Sequence, residues 1–404
     1  MLISPDTISK NHLAELSLPH DYKPGKNNDN KRDLKPALSS LYFKRLKMNE
    51  KVLVAMSGGV DSSVTALLLK EKGYECMGAT MNLFQNETIG LPMDRTCCSI
   101  RDIEDAESVC RKLEIDFRVF NFRETFTEQV IERFVRSYEA GETPNPCIDC
   151  NRYMKFGKLL ERAEELGFSK VATGHYARVE FDEDRGRYML RKAADIKKDQ
   201  TYVLYSLKQN ELSRILFPLG GYTKDEVRKL AEENGFANAG KVESQDICFV
   251  KDKSYSEFIE GFTGKKYPPG DFLDMHGNVI GRHKGIICYT IGQRKGLGVN
   301  VGEPLYVYDK DPVRNTVTLA RDSELFSSVV TVKDINLIMT DRIEGELRVK
   351  AKTRYNQAEQ PAVVTQPDED TLKLVFDEPQ RAITKGQAAV IYDGDHVFGG
   401  GTII

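Results

Sequence analysis

A run of five apolar residues, Val52 to Met56, passes directly into Ser57-Gly58-Gly59-Val60-Asp61-Ser62-Ser63, after which Val64, Leu67 and Leu68 share a helical face. A buried strand that ends in two glycines and restarts as a helix is one βα unit. It points the neighbouring chain toward a parallel sheet, because parallel strands need helical crossovers. The glycines let the backbone approach a ligand closely, and the helix start adds partial positive charge. An oxyanion such as a phosphate is the natural occupant. The loop is not the common nucleotide loop GxxxxGK[ST], since no Lys follows the second glycine and Ser62 and Ser63 supply hydroxyls instead.

The same alternation continues downstream. Ile100, Ile103, Ala106, Val109, Cys110 and Leu113 repeat at helical spacing ahead of a strand-like Phe117-Arg118-Val119-Phe120. Phe156, Leu159, Leu160 and Ala163 form another stripe that leads into Lys170-Val171-Ala172-Thr173-Gly174. This pattern predicts an α/β domain with a doubly wound parallel sheet over residues 48–255, in which 215–236 packs with the following domain. Pro268-Pro269-Gly270 opens a glycine-rich central domain, placed at 256–320. Short alternating runs then predict a C-terminal β-barrel at 321–404.

Charge and composition narrow the class. Residues 1–47 carry nine Lys/Arg against five Asp/Glu, and the rest of the chain, with 49 against 56, is net −7. The leader therefore reads as a basic, disordered arm, and any polyanionic partner must meet local basic patches. No apolar stretch is long enough to cross a membrane, and the N-terminus lacks the apolar core of an export signal, so the expectation is a cytoplasmic protein with no membrane partner. Eight cysteines in such a chain argue for thiol or metal chemistry rather than a disulfide scaffold.

Thr143-Pro144-Asn145-Pro146-Cys147-Ile148-Asp149-Cys150-Asn151 sets two thiols three apart at a helix start, where the dipole favours thiolate. Such a CxxC serves equally as a redox pair, half a zinc site, or part of an iron–sulfur ligand set. No second CxxC follows, which disfavours a zinc ribbon. Cys248, in Glu243-Ser244-Gln245-Asp246-Ile247-Cys248-Phe249, is the third candidate, placed at the edge of the sheet that carries the phosphate loop. Cys110, Cys76 and Cys288 read as core, and the adjacent Cys97 and Cys98 as a loop pair that cannot share an unstrained disulfide. His175 reads as a satisfied buried histidine.

The SGGVDSS loop resembles that of the PP-loop ATP pyrophosphatases, with their adenine nucleotide α-hydrolase-like fold. That likeness implies an adenylated substrate and released pyrophosphate, with Asp61 facing Mg2+. Together with TPNPCIDCN, TGHYAR, KKDQTYVLYSL, SQDICF, YTIGQRKGLG and VFGGGTI, all in order over about residues 50–404, the chain resembles the tRNA-specific 2-thiouridylase family. The resemblance implies ATP-dependent replacement of the C2 oxygen of wobble uridine 34 by sulfur in tRNAs for Lys, Glu and Gln. It implies a persulfide on Cys248, loaded by a cysteine desulfurase or a sulfur-relay protein, and a nucleophilic Cys150. ATP would be held by Ala55, Met56, Ser57, Gly58, Gly59, Val60, Asp61 and Ser62, with Met81 and Gly174. Asn145, Pro146 and Cys147 would line the target base, while Lys198, Asp199, Gln200, Arg354 and Tyr355 would touch tRNA. Many members carry Asp where this chain has Cys147. A [4Fe–4S] cluster on Cys147, Cys150 and Cys248 therefore stays open beside the persulfide route.

In Leu347-Arg348-Val349-Lys350-Ala351-Lys352-Thr353-Arg354 the four basic residues share one parity and the apolar residues the other. On a strand this is a basic stripe opposite a core face, suited to a phosphate backbone, with Tyr355 available to stack on a base. Lys197, Lys198, Arg294 and Lys295 are expected to flank the substrate path. A different PP-loop enzyme would share the phosphate loop without needing the thiol trio, and an RNA-binding protein would need the basic stripe but not the loop.

Overall fold

The computed structural model describes residues 50–84, 100–241, 247–250, 254–300 and 302–404. The basic leader, Cys97, Cys98 and Ser244 to Asp246 lie outside the described residues.

The first sheet is parallel, with strand order β3-β2-β1-β4-β7. Its strands are β1 (Lys51–Ala55), β2 (Glu75–Asn82), β3 (Asp116–Asn121), β4 (Lys170–Ala172) and β7 (Ile215–Leu216). Val52, Leu53 and Val54 are fully buried, as a strand covered on both faces must be. Helix α1 (Val60–Glu71) is buried almost all round, whereas α2 (Ile100–Lys112) buries only a stripe that includes Ala106, Val109 and Cys110. The chain builds β1, β2 and β3 to one side and then returns to lay β4 on the other flank of β1. The β1/β4 boundary is thus a topological switch point, the place where open α/β sheets bind ligands.

Two long helical stretches connect β3 to β4. The first, α3, runs through Arg123–Phe126, Thr127–Ile131 and Glu132–Glu139. The second, α4, runs through Pro146–Asp149, Cys150–Lys158 and Leu159–Glu165, and its middle segment is π-helical. Phe156, Leu159, Leu160 and Ala163 are buried, as their spacing predicts.

Residues 215–236 pack within the first domain. Helix α5 (Lys224–Glu233) packs on α1, and Val227, Ala231 and Phe236 join the core that holds Val64 and Leu68, so this segment completes the first domain. The apolar spacing of a short helix identifies its buried face but not the neighbour that covers it. Helix α6 (Tyr255–Thr263), with a Ser254/Glu257 capping box, precedes the four-stranded central sheet β10-β11-β8-β9. That sheet comprises β8 (Gly270–Leu273), β9 (Val279–His283), β10 (Tyr306–Asp311) and β11 (Thr316–Ala320).

The C-terminal strands are β12 (Phe326–Leu337), β13 (Leu347–Lys352), β14 (Gln360–Asp368), β15 (Thr371–Arg381), β16 (Ala388–Asp393) and β17 (His396–Ile403). Their order β12-β15-β14-β13-β16-β17, closed by β12 against β17, makes a barrel with no open edge. A hairpin within the first domain, β5 (Ala177–Asp182) and β6 (Arg187–Lys192), pairs onto β17 through Arg191 and His396. This junction is not visible in the spacing of the sequence.

Candidate active site

The phosphate loop folds around Gly58, whose φ is +73°. A Cβ there would collide with the Asp102 carbonyl, whose carbon would lie 2.8 Å away, so the position requires glycine. Gly59 caps α1 in extended conformation. The Ser62 hydroxyl donates to the Gly59 carbonyl at 3.0 Å and accepts from the Ser57 N–H at 3.2 Å, drawing the loop into a closed cradle. Ser63 donates to the same Gly59 carbonyl at 3.0 Å.

Support comes from behind the loop. Asn238, buried, donates to the Gly58 carbonyl and to Ser63 Oγ, each at 3.0 Å. Lys241 donates to the Gly58 carbonyl at 3.1 Å and is neutralised by Asp102 at 2.6 Å and Asp105 at 2.7 Å. The sequence reading missed both residues, since their segment carries no motif and reaches the loop only through the fold.

Across the switch point, Gly174 lies against the start of α1. A Cβ on it would stand 2.9 Å from Asp61 Cβ and 3.0 Å from the Ser62 N–H nitrogen. The next residue, His175, is buried between Thr173 Oγ1 at 2.7 Å and Lys155 Nζ at 3.3 Å, and burial holds its pKa well below the ordinary value. A neutral imidazole facing an ammonium accepts at Nε2, which leaves its Nδ1–H to donate to Thr173. Met81 and Ala55 sit at the carboxyl ends of adjacent parallel strands, on the same sheet edge.

Asp61, expected to face Mg2+, is engaged by protein. Lys224 Nζ reaches both carboxylate oxygens at 2.8 Å, and Tyr176 Oη donates to one of them at 2.8 Å. Lys224 has only 8% side-chain exposure. One signal could have found it: a Lys at the first position of a helix, against the dipole and ahead of Asp225-Glu226, needs an outside anion.

Helix α4 presents the thiols. Asn145 caps it by accepting from the Cys147 N–H at 3.1 Å, and Pro146 takes the first helical position, where its missing N–H costs nothing. Because α4 runs back to the start of β4, its N-terminus faces the carboxyl edge of the sheet. Cys147 is exposed, whereas Cys150 and Cys248 are half-buried and pack against one core with Met81, Ala55 and Ile148. Among the described residues, no three His, Cys, Asp or Glu side chains are grouped to hold a metal. That observation lends no support to an iron–sulfur ligand set of Cys147, Cys150 and Cys248. Cys110 lies in the core beneath Gly78, and burial pushes its thiol up to about 12.

The residues expected to touch tRNA fall into two groups. Asp199 and Tyr355 meet in space: Tyr355 Oη donates to the Asp199 carbonyl at 3.4 Å, and its ring meets that of Tyr202 edge-on. Gln200 Oε1 accepts from the Tyr176 N–H at 2.9 Å, which links this patch to the residue that holds Asp61. Arg354 is directed inward, however. Its Nη2 donates to the carbonyls of Ile291 and Ala382 and to Thr384, at 2.8 to 3.2 Å, and burial lowers its pKa. On β13, Val349 and Ala351 are buried while Arg348 and Lys350 are exposed, the alternation expected of the stripe. Arg348 is paired with Asp377 and Lys352 lies over the Tyr392 ring, so the stripe is partly neutralised.

The model of the tRNA methyl transferase HUP domain matches residues 50–252. That of the tRNA methyl transferase PRC-barrel domain matches 256–321, and that of the aminomethyltransferase beta-barrel domain matches 327–403. The chain is 50% identical over 356 residues to the tRNA-specific 2-thiouridylase MnmA of Clostridioides difficile (strain 630), covering 88% of this chain and 98% of the relative. It is 51% identical over 356 residues to the protein of that name from Carboxydothermus hydrogenoformans, covering 88% and 97%. Among solved structures, a 4-thiouridine synthetase in complex with RNA and bound ATP aligns with TM-score 0.31 and 17% identity, over 54% of each chain.

Proposed function

The chain belongs to the tRNA-specific 2-thiouridylase family, and from that premise we propose a division of labour among its residues. It is an ATP-dependent tRNA-uridine 2-sulfurtransferase. The observation that carries the residue assignment is the shared sheet edge: the glycine cradle at the β1/β4 switch point and the thiol-bearing start of α4 face the same side. A methyl transfer, which two of the domain descriptions mention, has no use for a pyrophosphate cradle beside two thiols.

In this reading the backbone N–H groups of Gly58 to Ser62 bind the pyrophosphate end of ATP, whose charge Mg2+ would help to neutralise when bound. The C2 oxygen of the wobble uridine attacks the α-phosphorus, and pyrophosphate leaves. The terminal sulfur of a Cys248 persulfide then attacks C2, and the C2–O bond breaks to release AMP. Cys150 thiolate attacks the remaining Cys248 sulfur, so the sulfur–sulfur bond breaks, the transferred sulfur stays on C2 and a Cys150–Cys248 disulfide forms. A thiol reductant resets the pair. A cysteine desulfurase or relay protein supplies the persulfide, and wobble uridines of tRNAs for Lys, Glu and Gln are the substrates, in the cytoplasm. Asn145, Pro146 and Cys147 border the base, while Lys198 and Tyr355 meet the RNA.

The test is tRNA-dependent pyrophosphate release together with sulfur transfer to unmodified tRNA by anaerobically purified protein, with iron and acid-labile sulfide quantified. Cys147→Ala is expected to keep both activities. Cys150→Ala and Cys248→Ala should keep pyrophosphate release and lose thiolation. Thiolation that tracks iron content and disappears in Cys147→Ala would overturn the persulfide assignment.

A further inference from the structure

Strand β12 carries an irregularity that the barrel itself does not explain. Its register against β17 shifts between Lys333 and Asn336, and Asp334 within the shift has φ of +51°, a left-handed conformation that few residues other than glycine, Asn and Asp adopt. The residues of this bulge reach out of the barrel. Asp334 grips Arg152 of α4 in a two-pronged ion pair, with Nη2 to Oδ1 at 3.0 Å and Nη1 to Oδ2 closer still. Asn336 donates to the carbonyls of Tyr205 at 2.7 Å and Leu207 at 2.9 Å.

Arg152 stands two residues after Cys150. The residues on either side of that thiol are each anchored to a different element. Asp149 meets Arg133 of α3 at 3.4 Å, and Asn151 donates to the Val203 carbonyl at 2.9 Å. Tyr153 is flanked by the guanidinium groups of Arg133 at 5.0 Å and Arg152 at 5.5 Å. The segment 203–207, the bulge of β12 and the start of α4 thus form a closed triangle of contacts around Cys150. The π-helical hydrogen bonding that begins at Cys150 is an inherently weak mode, so an outside clamp has purchase on it.

We infer that Asp334 is a positioning residue for sulfur transfer: the bulged barrel strand sets the orientation of Cys150 through Arg152. The two-pronged geometry suits Arg and carboxylate and not Lys, because only the guanidinium fork matches both oxygens. The inference rests on the thiouridylase reading, within which it adds a residue that touches neither ATP nor the reacting thiols.

The experiment uses Asp334→Asn, which tolerates the left-handed backbone while removing the charge, with Arg152→Gln and the double variant, all in the full chain. Three readouts are taken: tRNA-dependent pyrophosphate release, sulfur-transfer kcat and KM, and iodoacetamide alkylation of Cys150 relative to Cys147 by peptide mass spectrometry. The expected result is pyrophosphate release within twofold of wild type, thiolation kcat down about tenfold with KM for tRNA within twofold, and Cys150 alkylation up severalfold relative to Cys147. The double variant should be no worse than either single. Alkylation and kcat unchanged, or pyrophosphate release and thiolation falling in parallel with a lowered Tm, would overturn the inference. A wild-type protein that does not thiolate tRNA would overturn the functional reading instead, and the alkylation ratio would still decide whether Asp334 orients Cys150.

Discussion

Lys224→Met removes the ammonium that meets both oxygens of Asp61 and leaves an apolar side chain of similar length in its place. Breaking a buried ion pair by deleting one partner typically costs about 3–5 kcal/mol, because the other charge is left uncompensated. Asp61 keeps the Tyr176 hydroxyl and has 29% side-chain exposure, so water recovers part of that loss and about 2 kcal/mol is expected. For a domain of this size that corresponds to a fall in Tm of about 4–8 °C, measured by scanning calorimetry. The same change leaves a carboxylate without its ammonium partner at the phosphate cradle. The KM for ATP should rise, and more steeply at low Mg2+, where no cation replaces the ammonium. Adding Asp61→Asn should restore most of the stability, because both members of the pair are then neutral. A Tm within 1 °C of wild type, or a double variant no more stable than Lys224→Met alone, would refute the argument that this ion pair holds the loop.

Three further outcomes follow from the structure. Gly58→Ala combines a left-handed backbone with a collision at Asp102, so urea titration should show a loss of several kcal/mol, on the order of 3, and ATP should no longer protect against unfolding. Lys310, buried and donating to the Tyr289 carbonyl at 2.9 Å, has its pKa lowered by burial from 10.5 to about 8. Its charged form is thus penalised in the folded state, and stability is gained as pH rises from about 8 toward 10.5; Lys310→Met should lack this gain of about 3 kcal/mol, as urea titrations across pH 7 to 10 would show. Lys350→Ala with Lys352→Ala should weaken tRNA binding and flatten the slope of log Kd against log salt by at most about 2, with most of the change from exposed Lys350; an unchanged slope would remove the stripe from the RNA path.

The parts of the molecule legible in the sequence are those in which function follows from local spacing. The strand–glycine–helix unit at Val52 to Leu68 appears as a parallel-sheet βα unit because its periodicities, its punctuation and its hydroxyls all agree. The alternation in β13 is likewise written in the residues themselves. What escaped is what the fold brings from a distance. Lys224 reaches Asp61 across 163 residues, Asn238 reaches Gly58 across 180, and Asp334 reaches Arg152 across 182. Arg354 marks the opposite limit, since spacing set it on the basic face, yet the strand ends before it and the side chain turns inward to backbone carbonyls. Spacing reports which face a side chain shares, and not whether another element already occupies its charge.

Strand β17 follows every strand it pairs with: β12 and β16 in the barrel, and β6 in the hairpin of the first domain. During synthesis the catalytic domain therefore emerges with its hairpin waiting on β17. Until that strand arrives, β6 and β12 each lack a partner and expose pairing edges of the kind that recruit other chains. Closure of the barrel is thus tied to the synthesis of β17, and a chain stopped before His396 should be an aggregation-prone species rather than a partly active one.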